Sequence, residues 1–244
     1  MIRPDWPAPA QVQAAASTRH GGVSRAPWDS LNLAAHVGDA EAAVQQNRIL
    51  LQQTLALPAA PRWLDQVHGD RIIDAGTTGS CPQADAAFTR SAGVVCAVLT
   101  ADCLPVLFCD RAGSRVAAAH AGWRGLAGGI LESSVRALDT DPGQLLAWLG
   151  PAIGPAAFEV GDEVRQAFVD QHAQASDAFK ATRDGHWLAD LYRLARIRLQ
   201  AVGVDAVYGG GFCTFSDRER FYSYRRDGTT GRMASLIWLD EGGD

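Results

Sequence analysis

The amino-acid sequence predicts a mixed α/β (α+β) fold in which β-sheets pack together and helices lie outside them. Short apolar runs of strand length recur along the chain, and amphipathic segments of helix length stand between some of them. The two kinds of segment alternate irregularly, which favours mixed sheets over a doubly wound parallel sheet. No GxGxxG motif follows a strand and no Walker A motif is present, so neither a dinucleotide-binding nor a P-loop domain is indicated.

The elements are predicted from turn formers and apolar periodicity. After a turn-rich start, Asp39 is expected to cap a helix over about 40–55 that buries Val44, Leu51 and Leu55. Further helices are expected over about 125–138, 159–172 and 187–202. Strands are expected at 94–99, 104–108, 115–119, 145–149, 205–208, 219–224 and 233–239.

Composition limits the class of protein. Of the 244 residues, 47% are hydrophobic and 20% charged, and no repeat or low-complexity linker divides them, so we expect a single domain over residues 1–244. The net charge of −5 does not favour a nucleic-acid or membrane-surface binder. The sequence shows no spanning segment, no secretory signal and no CxxC pair among five cysteines; we therefore expect a cytoplasmic protein without a disulfide framework.

The segment TADCLPVLFCDRAGSRVAAAHAGWRG, residues 100–125, carries most of the chemical information. Turn formers over 110–113 separate two apolar runs, which predicts a β-hairpin with a four-residue loop. Pro105 lies inside the first run, so it requires an edge strand or a position without a ladder hydrogen bond.

Pairing Cys109 with Ser114 across this hairpin places Cys103 opposite His120, with Cβ atoms about 4.5–5.5 Å apart. At that separation a thiolate and an imidazole can share a metal ion, or the imidazole can deprotonate the thiol. A register shift of one residue would put the two side chains on opposite faces. A buried cysteine beside a hydrogen-bonded histidine is the simpler alternative.

His68, in the segment WLDQVHGD, is the best third partner because it stands between an apolar stretch and a glycine. Two histidines and one cysteine form a suitable ligand set for a catalytic zinc with an open fourth position. A structural zinc would need a fourth ligand, and no further cysteine or histidine stands near the three in sequence.

The loop AGWRGLAGG after His120 contains four glycines and leads into a predicted helix. Free backbone N–H groups at a helix N-terminus can bind an anion, and Arg124 stands at this point. A solvated loop arginine is the alternative interpretation of Arg124.

Taken with their flanks, these segments resemble the YfiH family, also known as the laccase-domain or multicopper polyphenol oxidase family. The resemblance covers nearly the whole chain. It rests on STRHGGVSRAPWDSLNLAAHVGD with Asn47-Arg48, QVHGD, ADA, TADCLPVLFCD, AAHAGWRGLAGGI, LGPAIGPAAFEVGDEV and the C-terminal GFCTFSDRERFYSYRRDGTTGRMASLIWL.

The resemblance implies a zinc ion, with copper as a possible substitute, held by the residues that match His68, Cys103 and His120. It also implies mixed sheets with flanking helices, as in YfiH and a toxin deamidase family of similar fold, and a homodimer. The activities implied are phosphorolysis of adenosine, inosine and methylthioadenosine, adenosine deamination, laccase-type oxidation, and hydrolytic editing of peptidoglycan precursors.

The first hypothesis is a zinc-dependent purine nucleoside phosphorylase with adenosine deaminase activity. A metal ion with an open position can lower the pKa of bound water to about 7, which supplies hydroxide for attack at C6 of adenine. On this hypothesis the expected catalytic residues are Cys103, Asp102 as proton donor or ligand-orienting group, and Arg124. The expected substrate-binding residues, with the arginines clamping phosphate, are Arg48, Asn47 and Gln66.

Two alternatives remain at this point. A cysteine-type hydrolase or amidase would use Cys103 as nucleophile and His120 as its base. A copper-dependent polyphenol oxidase is disfavoured, because a blue-copper site plus a trinuclear cluster needs more ligands than six histidines and two methionines supply.

Overall fold

The structure is a computed structural model that describes residues 1–77 and 81–240. Within these residues a six-stranded sheet forms the centre of the fold. Its strands, in spatial order, are β11 (Ala206–Gly209), β7 (Leu145–Leu149), β5 (Leu104–Asp110), β6 (Val116–Ala121), β3 (Ala86–Thr89) and β2 (Ile72–Asp74). The sheet is mixed, since β11–β7 and β2–β3 pair in parallel and the other neighbours are antiparallel.

Two smaller sheets complete the strands of the described chain. One has the order β1 (Val12–Ala16), β12 (Met233–Leu239) and β4 (Val95–Thr100), all antiparallel. The other has the order β8 (Glu159–Gly161), β10 (His186–Ala189) and β9 (Phe179–Arg183). The helices are α1 (Glu41–Leu55), α2 (Trp123–Gly128), α3 (Ile130–Leu138), α4 (Asp162–Val169), α5 (Leu191–Ala201) and α6 (Tyr224–Asp227).

The central sheet is covered on both faces, which explains why β5 is buried along its whole length. Phe108 points to the face covered by α3 and α5, whereas Leu107 points to the face covered by the β1–β12–β4 sheet. The outer face of that second sheet packs against Leu51 and Leu55 of α1. The predicted mixed α/β fold with flanking helices is confirmed.

The 104–108, 145–149 and 233–239 strands and the burial of Val44, Leu51 and Leu55 are confirmed. The strand predicted at 219–224 is wrong, because these residues form turns that lead into α6. The helices predicted over 159–172 and 187–202 start too early, since their first residues belong to β8 and β10. The 125–138 helix is broken at Gly129, whose φ of 102° lies in the left-handed region.

Of two local predictions near the site, one is wrong and the other is confirmed. Asp39 does not cap α1; its carboxylate accepts hydrogen bonds from the Ser24 hydroxyl and the Asn32 amide, which ties the N-terminal loops together. Of the two positions predicted for Pro105, an edge strand or a position without a ladder hydrogen bond, the second is confirmed, since β5 is a central strand. Pro105 is the second residue of β5 and lies opposite the residue that follows the end of β7. There its carbonyl accepts a hydrogen bond from the N–H of Gly150, and no N–H of its own is needed.

None of the helices in the described ranges has both the length and the apolarity that a membrane span requires.

We expect Phe108→Ala to lower the free energy of unfolding by about 3–5 kcal/mol, because Phe108 is fully buried between the central sheet and the helices. Urea titration measures the change. Ile49→Ala is the control: Ile49 is 48% exposed, so its truncation should change stability by less than about 0.5 kcal/mol. Equal effects of the two substitutions would contradict this assignment of the core.

Candidate metal centre

His68, Cys103 and His120 converge at one end of the central sheet. His68 lies in the loop before β2, Cys103 in the turn between β4 and β5, and His120 near the end of β6. Each offers one ligand atom, and the three atoms lie within 4.8 Å of one another. The Cys103 Sγ to His68 Nε2 distance is 3.8 Å. Of the groups of three or more His, Cys, Asp or Glu in the described ranges, this is the one with metal-binding geometry.

The hairpin that carries Cys103 and His120 is present, but its predicted register is wrong. Cys109 pairs with Val116, and His120 stands opposite Pro105 rather than Cys103. The register is therefore shifted by two residues. Because side chains alternate with a period of two, an even shift keeps Cys103 on the face of His120, as a diagonal rather than a direct neighbour.

The carboxylate of Asp85 holds both histidines in place. Asp85 is fully buried just before β3, and its Oδ1 lies 2.8 Å from Nδ1 of His120. The same carboxylate accepts hydrogen bonds from the backbone N–H groups of Val67, His68 and Gly69. With Nδ1 of His120 engaged, Nε2 is the nitrogen left for a metal, which is the usual arrangement of a carboxylate-supported histidine ligand.

The hydrogen bonds also keep Asp85 ionised. Burial alone would raise the pKa of Asp85, but the hydrogen bonds from His120 and from the backbone N–H groups of Gly69 and His68 outweigh it and lower that pKa. Asp85 therefore remains a charged acceptor that favours the Nδ1–H form of His120.

Left-handed backbone marks the segments that bear the ligands. His68 has φ of 62° and Asp102, next to Cys103, has φ of 90°. Such angles are unfavourable for residues with a side chain and persist only when surrounding contacts hold them. His68 is held by Asp85. Asp102 is held through its carboxylate, which accepts from the Thr214 hydroxyl and the Arg225 N–H.

The glycines after His120 have a packing role. A Cβ at Gly122 would stand 2.9 Å from the His68 ring and 3.0 Å from Cys103 Sγ, and one at Gly125 would stand 2.7 Å from the Gly69 carbonyl oxygen. The loop is glycine-rich because it passes directly behind the ligands. This accounts for these glycines without the anion site expected there, and the helix that follows, α2, is only six residues long.

The Cys103 thiol is shifted toward its thiolate form. Burial opposes ionisation, but the charge of His120 and hydrogen bonds from His120 and His68 outweigh it and lower the pKa of Cys103 to about 6. In return, the Cys103 thiolate and Asp85 raise the pKa of His120 against the effect of burial. Without a metal these two shifts favour a thiolate–imidazolium pair.

The three ligands open onto a cavity of about 390 Å³, which we call the site cavity. Its other walls are formed by His36, Gln66, Leu99, Thr100, Ala101, Tyr224 and Arg232. His120 is buried whereas His68 is exposed, so the ligand group is accessible from one side. A small molecule can therefore approach the open side of a bound metal.

The other predicted site residues are placed unevenly. Gln66 lines the site cavity, but its amide is paired with the backbone of Leu99 in both directions, at 2.7 and 2.8 Å. Arg48 lines a neighbouring cavity, where it stacks on Trp63 at 4.4 Å. Gln66 is therefore on the wall of the site cavity and Arg48 on that of its neighbour, and their predicted substrate-binding roles stay predictions.

Three of the predicted residues do not line the site cavity. Asn47 is fully buried, and its amide donates hydrogen bonds to Ser24, Ser30 and Asn32. These bonds hold the N-terminal loop in place. Arg124 is exposed and stacks on Trp123 at 4.4 Å, outside the walls of the site cavity. Asp102 does not line that cavity, and its two oxygens accept from Thr214 and Arg225; its role as proton donor or ligand-orienting group stays a prediction.

Sequence reasoning missed Asp85, Arg232 and Tyr224. Asp85 is the centre of the ADA segment, and a carboxylate between two alanines, directly before a strand, is a usable signal. Arg232 and Tyr224 reach the site cavity from a distant part of the chain, and nothing in their local sequence indicates it.

Residues 13–240 match the sequence profile of the multi-copper polyphenol oxidoreductase laccase family. The chain belongs to this family. The predicted resemblance to YfiH is thereby confirmed, and YfiH of Escherichia coli K12, a purine nucleoside phosphorylase, is 56% identical over 240 residues, which are 98% of each chain. A purine nucleoside phosphorylase of Pseudomonas aeruginosa is 60% identical over 241 residues, also 98% of each chain.

Two solved structures share the fold. The crystal structure of a Neisseria meningitidis protein superposes with a TM-score of 0.95 at 53% identity, covering 98% of this chain and 99% of that one. YlmD from Geobacillus stearothermophilus gives a TM-score of 0.88 at 36% identity, covering 95% and 93%.

In chelator-treated protein, we expect alkylation of Cys103 by iodoacetamide to be near its maximal rate at pH 7.5 and to fall as the pH decreases through about 6. The thiolate is the reactive form, and a lowered pKa keeps it populated to lower pH. Peptide mass spectrometry resolves the reaction of Cys103 from that of the other cysteines. The matched variant His120→Gln removes the neighbouring charge and should move the midpoint upward; a wild-type midpoint near the ordinary value of 9.0 would contradict the assignment.

We expect Asp85→Asn to weaken metal binding by about 10- to 100-fold, because the amide cannot accept from His120 and the loop N–H groups with a full charge. Competition with a chromophoric chelator measures the affinity. Asp70→Asn is the control, since Asp70 is exposed in the same loop. Wild-type affinity in Asp85→Asn would show that the carboxylate does not support the ligands.

Proposed function

We propose that this protein is a zinc-dependent purine nucleoside phosphorylase that acts on adenosine, inosine and methylthioadenosine and also deaminates adenosine. The observation that carries the proposal is the group His68, Cys103 and His120 opening onto the site cavity. It is supported by full-length relatives at 56–60% identity that are purine nucleoside phosphorylases.

The donor set fits a zinc ion. Zinc–nitrogen and zinc–sulfur bonds of about 2.0–2.1 and 2.3 Å in a tetrahedron require ligand atoms about 3.3–3.6 Å apart. The Cys103 Sγ to His68 Nε2 distance of 3.8 Å differs little from that requirement, and all three ligand atoms lie within 4.8 Å of one another, so binding would draw the set slightly inward. The lowered pKa of Cys103 also favours the deprotonated thiol that a metal needs.

With three protein ligands, a zinc ion here would keep one position open and act as a Lewis acid toward a substrate oxygen. Copper in the same ligands would be the basis of any oxidase activity. A multicopper oxidase is not supported, because the described chain brings together one three-ligand group and not the several sites that such an enzyme requires.

Phosphorolysis needs a nucleoside, a phosphate and a positioned leaving group. A phosphate oxygen forms a bond to C1′ of the ribose while the C1′–N9 bond breaks. The electron pair of the C1′–N9 bond leaves with the purine, which takes up a proton. The products are the free base and ribose 1-phosphate. The site cavity supplies Gln66 and Arg232 on its walls, and their fixed side chains can orient the nucleoside and an anion.

The reaction of a cysteine hydrolase on peptidoglycan precursors is the second candidate, because the thiolate–imidazolium pair is also the resting state of a cysteine nucleophile. Coordination of Cys103 by a tightly bound metal would remove this nucleophile. The homodimer and the single domain over residues 1–244 remain predictions.

We expect the purified protein to convert inosine to hypoxanthine and ribose 1-phosphate only when phosphate is present. Adenosine should yield inosine and ammonia without phosphate, and chromatography with coupled ammonia detection separates these products. Cys103→Ala should lose both activities together with its zinc, whereas Cys109→Ala, which removes a buried core thiol, should keep them. Unchanged inosine with every metal tested would refute the phosphorylase; amide cleavage by the metal-free protein would favour the hydrolase.

A further inference from the structure

A second cavity adjoins the site cavity. This annex cavity has a volume of about 690 Å³, and its walls include Arg48, Arg62 and Trp63. His36 and Leu99 line both cavities, so the two meet at these residues. Together the two cavities offer a ligand more space than the site cavity alone.

One half-buried arginine stands on each side of the junction, and neither has a carboxylate partner among the described residues. Nε and Nη2 of Arg48 donate to the carbonyl of Leu33 at 3.0 and 2.9 Å, and its guanidinium stacks on Trp63. Nη1 of Arg232 donates to the carbonyls of Thr230 and Gly231. Both guanidinium groups are thus fixed by neutral groups, while Nη1 of Arg48 and Nε and Nη2 of Arg232 have no partner in the described chain.

Leu33 links the two arginines through the backbone. Its carbonyl accepts from the side chain of Arg48, and its N–H donates to the carbonyl of Arg232 at 3.3 Å. His36 follows three residues later, at the junction. The same short segment therefore positions three nitrogen-bearing side chains around one space.

Charge compensation at the junction is incomplete: burial lowers the pKa of Arg232 although Cys103 and Asp102 act to raise it. Burial lowers the pKa of both arginines, and both lower the pKa of His36 in addition to its own burial. The carboxylate of Asp65 lies on the annex wall but is exposed to solvent. A half-buried guanidinium that has donor atoms without a partner is stabilised when an anion accepts from them.

The geometry points to a phosphate-binding subsite at the junction of the two cavities, formed by Arg48, Arg232 and His36. The two guanidinium groups donate charge-assisted hydrogen bonds to phosphate oxygens, and the His36 imidazole donates a neutral one. The choice of phosphate among anions rests on the proposed phosphorylase function.

The phosphate can come from two sources. It is either the free inorganic co-substrate or the 5′-phosphate of a purine mononucleotide whose base and ribose occupy the site cavity. Both have the same chemistry, a tetrahedral dianion, and the experiment below separates them.

The test is calorimetric titration of inorganic phosphate into metal-replete wild-type protein and into Arg48→Gln and Arg232→Gln. We expect each substitution to weaken phosphate binding by about 10- to 100-fold, since each removes a charge-assisted hydrogen bond. Arg90→Gln is the matched control, because Arg90 is exposed and pairs with Asp139 away from both cavities. If a glutamine variant fails to fold, the lysine variant at the same position, Arg48→Lys or Arg232→Lys, is titrated in its place, because it keeps the charge.

Kinetics then assign the source. For a co-substrate subsite, Arg48→Gln raises the KM for phosphate about tenfold or more and leaves the KM for inosine within about twofold. For a nucleotide subsite, inosine 5′-monophosphate binds the wild type more tightly than inosine does, and Arg48→Gln abolishes the preference.

Two results would overturn the subsite. One is that both arginine variants bind phosphate as tightly as the wild type does. The other is that the wild type binds no phosphate at about 10 mM, roughly the weakest binding of interest. Because calorimetry needs no turnover, arginine-dependent phosphate binding without cleavage of inosine would refute the phosphorylase but leave the subsite standing.

Discussion

The carboxylate of Asp85 is the interaction on which the site depends. It is fully buried, bonds Nδ1 of His120, and accepts from three consecutive N–H groups of the loop that carries His68. One residue thereby fixes the orientation of a ring on β6 and the backbone of a loop with left-handed φ. A buried charge is tolerated only with such a full set of donors, which also makes the two histidines interdependent.

The fold supplies the setting for this interaction. The central sheet is covered on both faces, so its strands are rigid, and the ligands lie at strand ends and turns where side chains can leave the core. Gly122 and Gly125 let the next turn pass against the ligands without a side chain. The N-terminal and C-terminal segments then close the opposite wall through His36 and Arg232. Distant parts of the sequence are needed to make one cavity.

The sequence was sufficient to predict the ligand group and the longest apolar strands. The ligand group survived an error in register because the error was of two residues, and side chains alternate between faces with a period of two. It failed where tertiary contacts decide local structure. Gly129 interrupts a continuous helical pattern, and the short strands β8 and β10 precede helices whose apolar periodicity extends into them. Asp102 and Arg124 stand beside the motif in sequence, yet the Asp102 carboxylate is bonded to Thr214 and Arg225 and the Arg124 side chain is exposed. Asp85 acts across 35 residues to His120, a separation that no local pattern encodes.

X-ray absorption spectroscopy of the purified protein at the zinc edge tests the metal centre most directly. We expect a shell with one sulfur at about 2.3 Å and two imidazole nitrogens at about 2.0–2.1 Å, completed by a light atom from solvent or substrate. A shell without sulfur, or one with two or more sulfur atoms, would contradict a centre built from Cys103, His68 and His120.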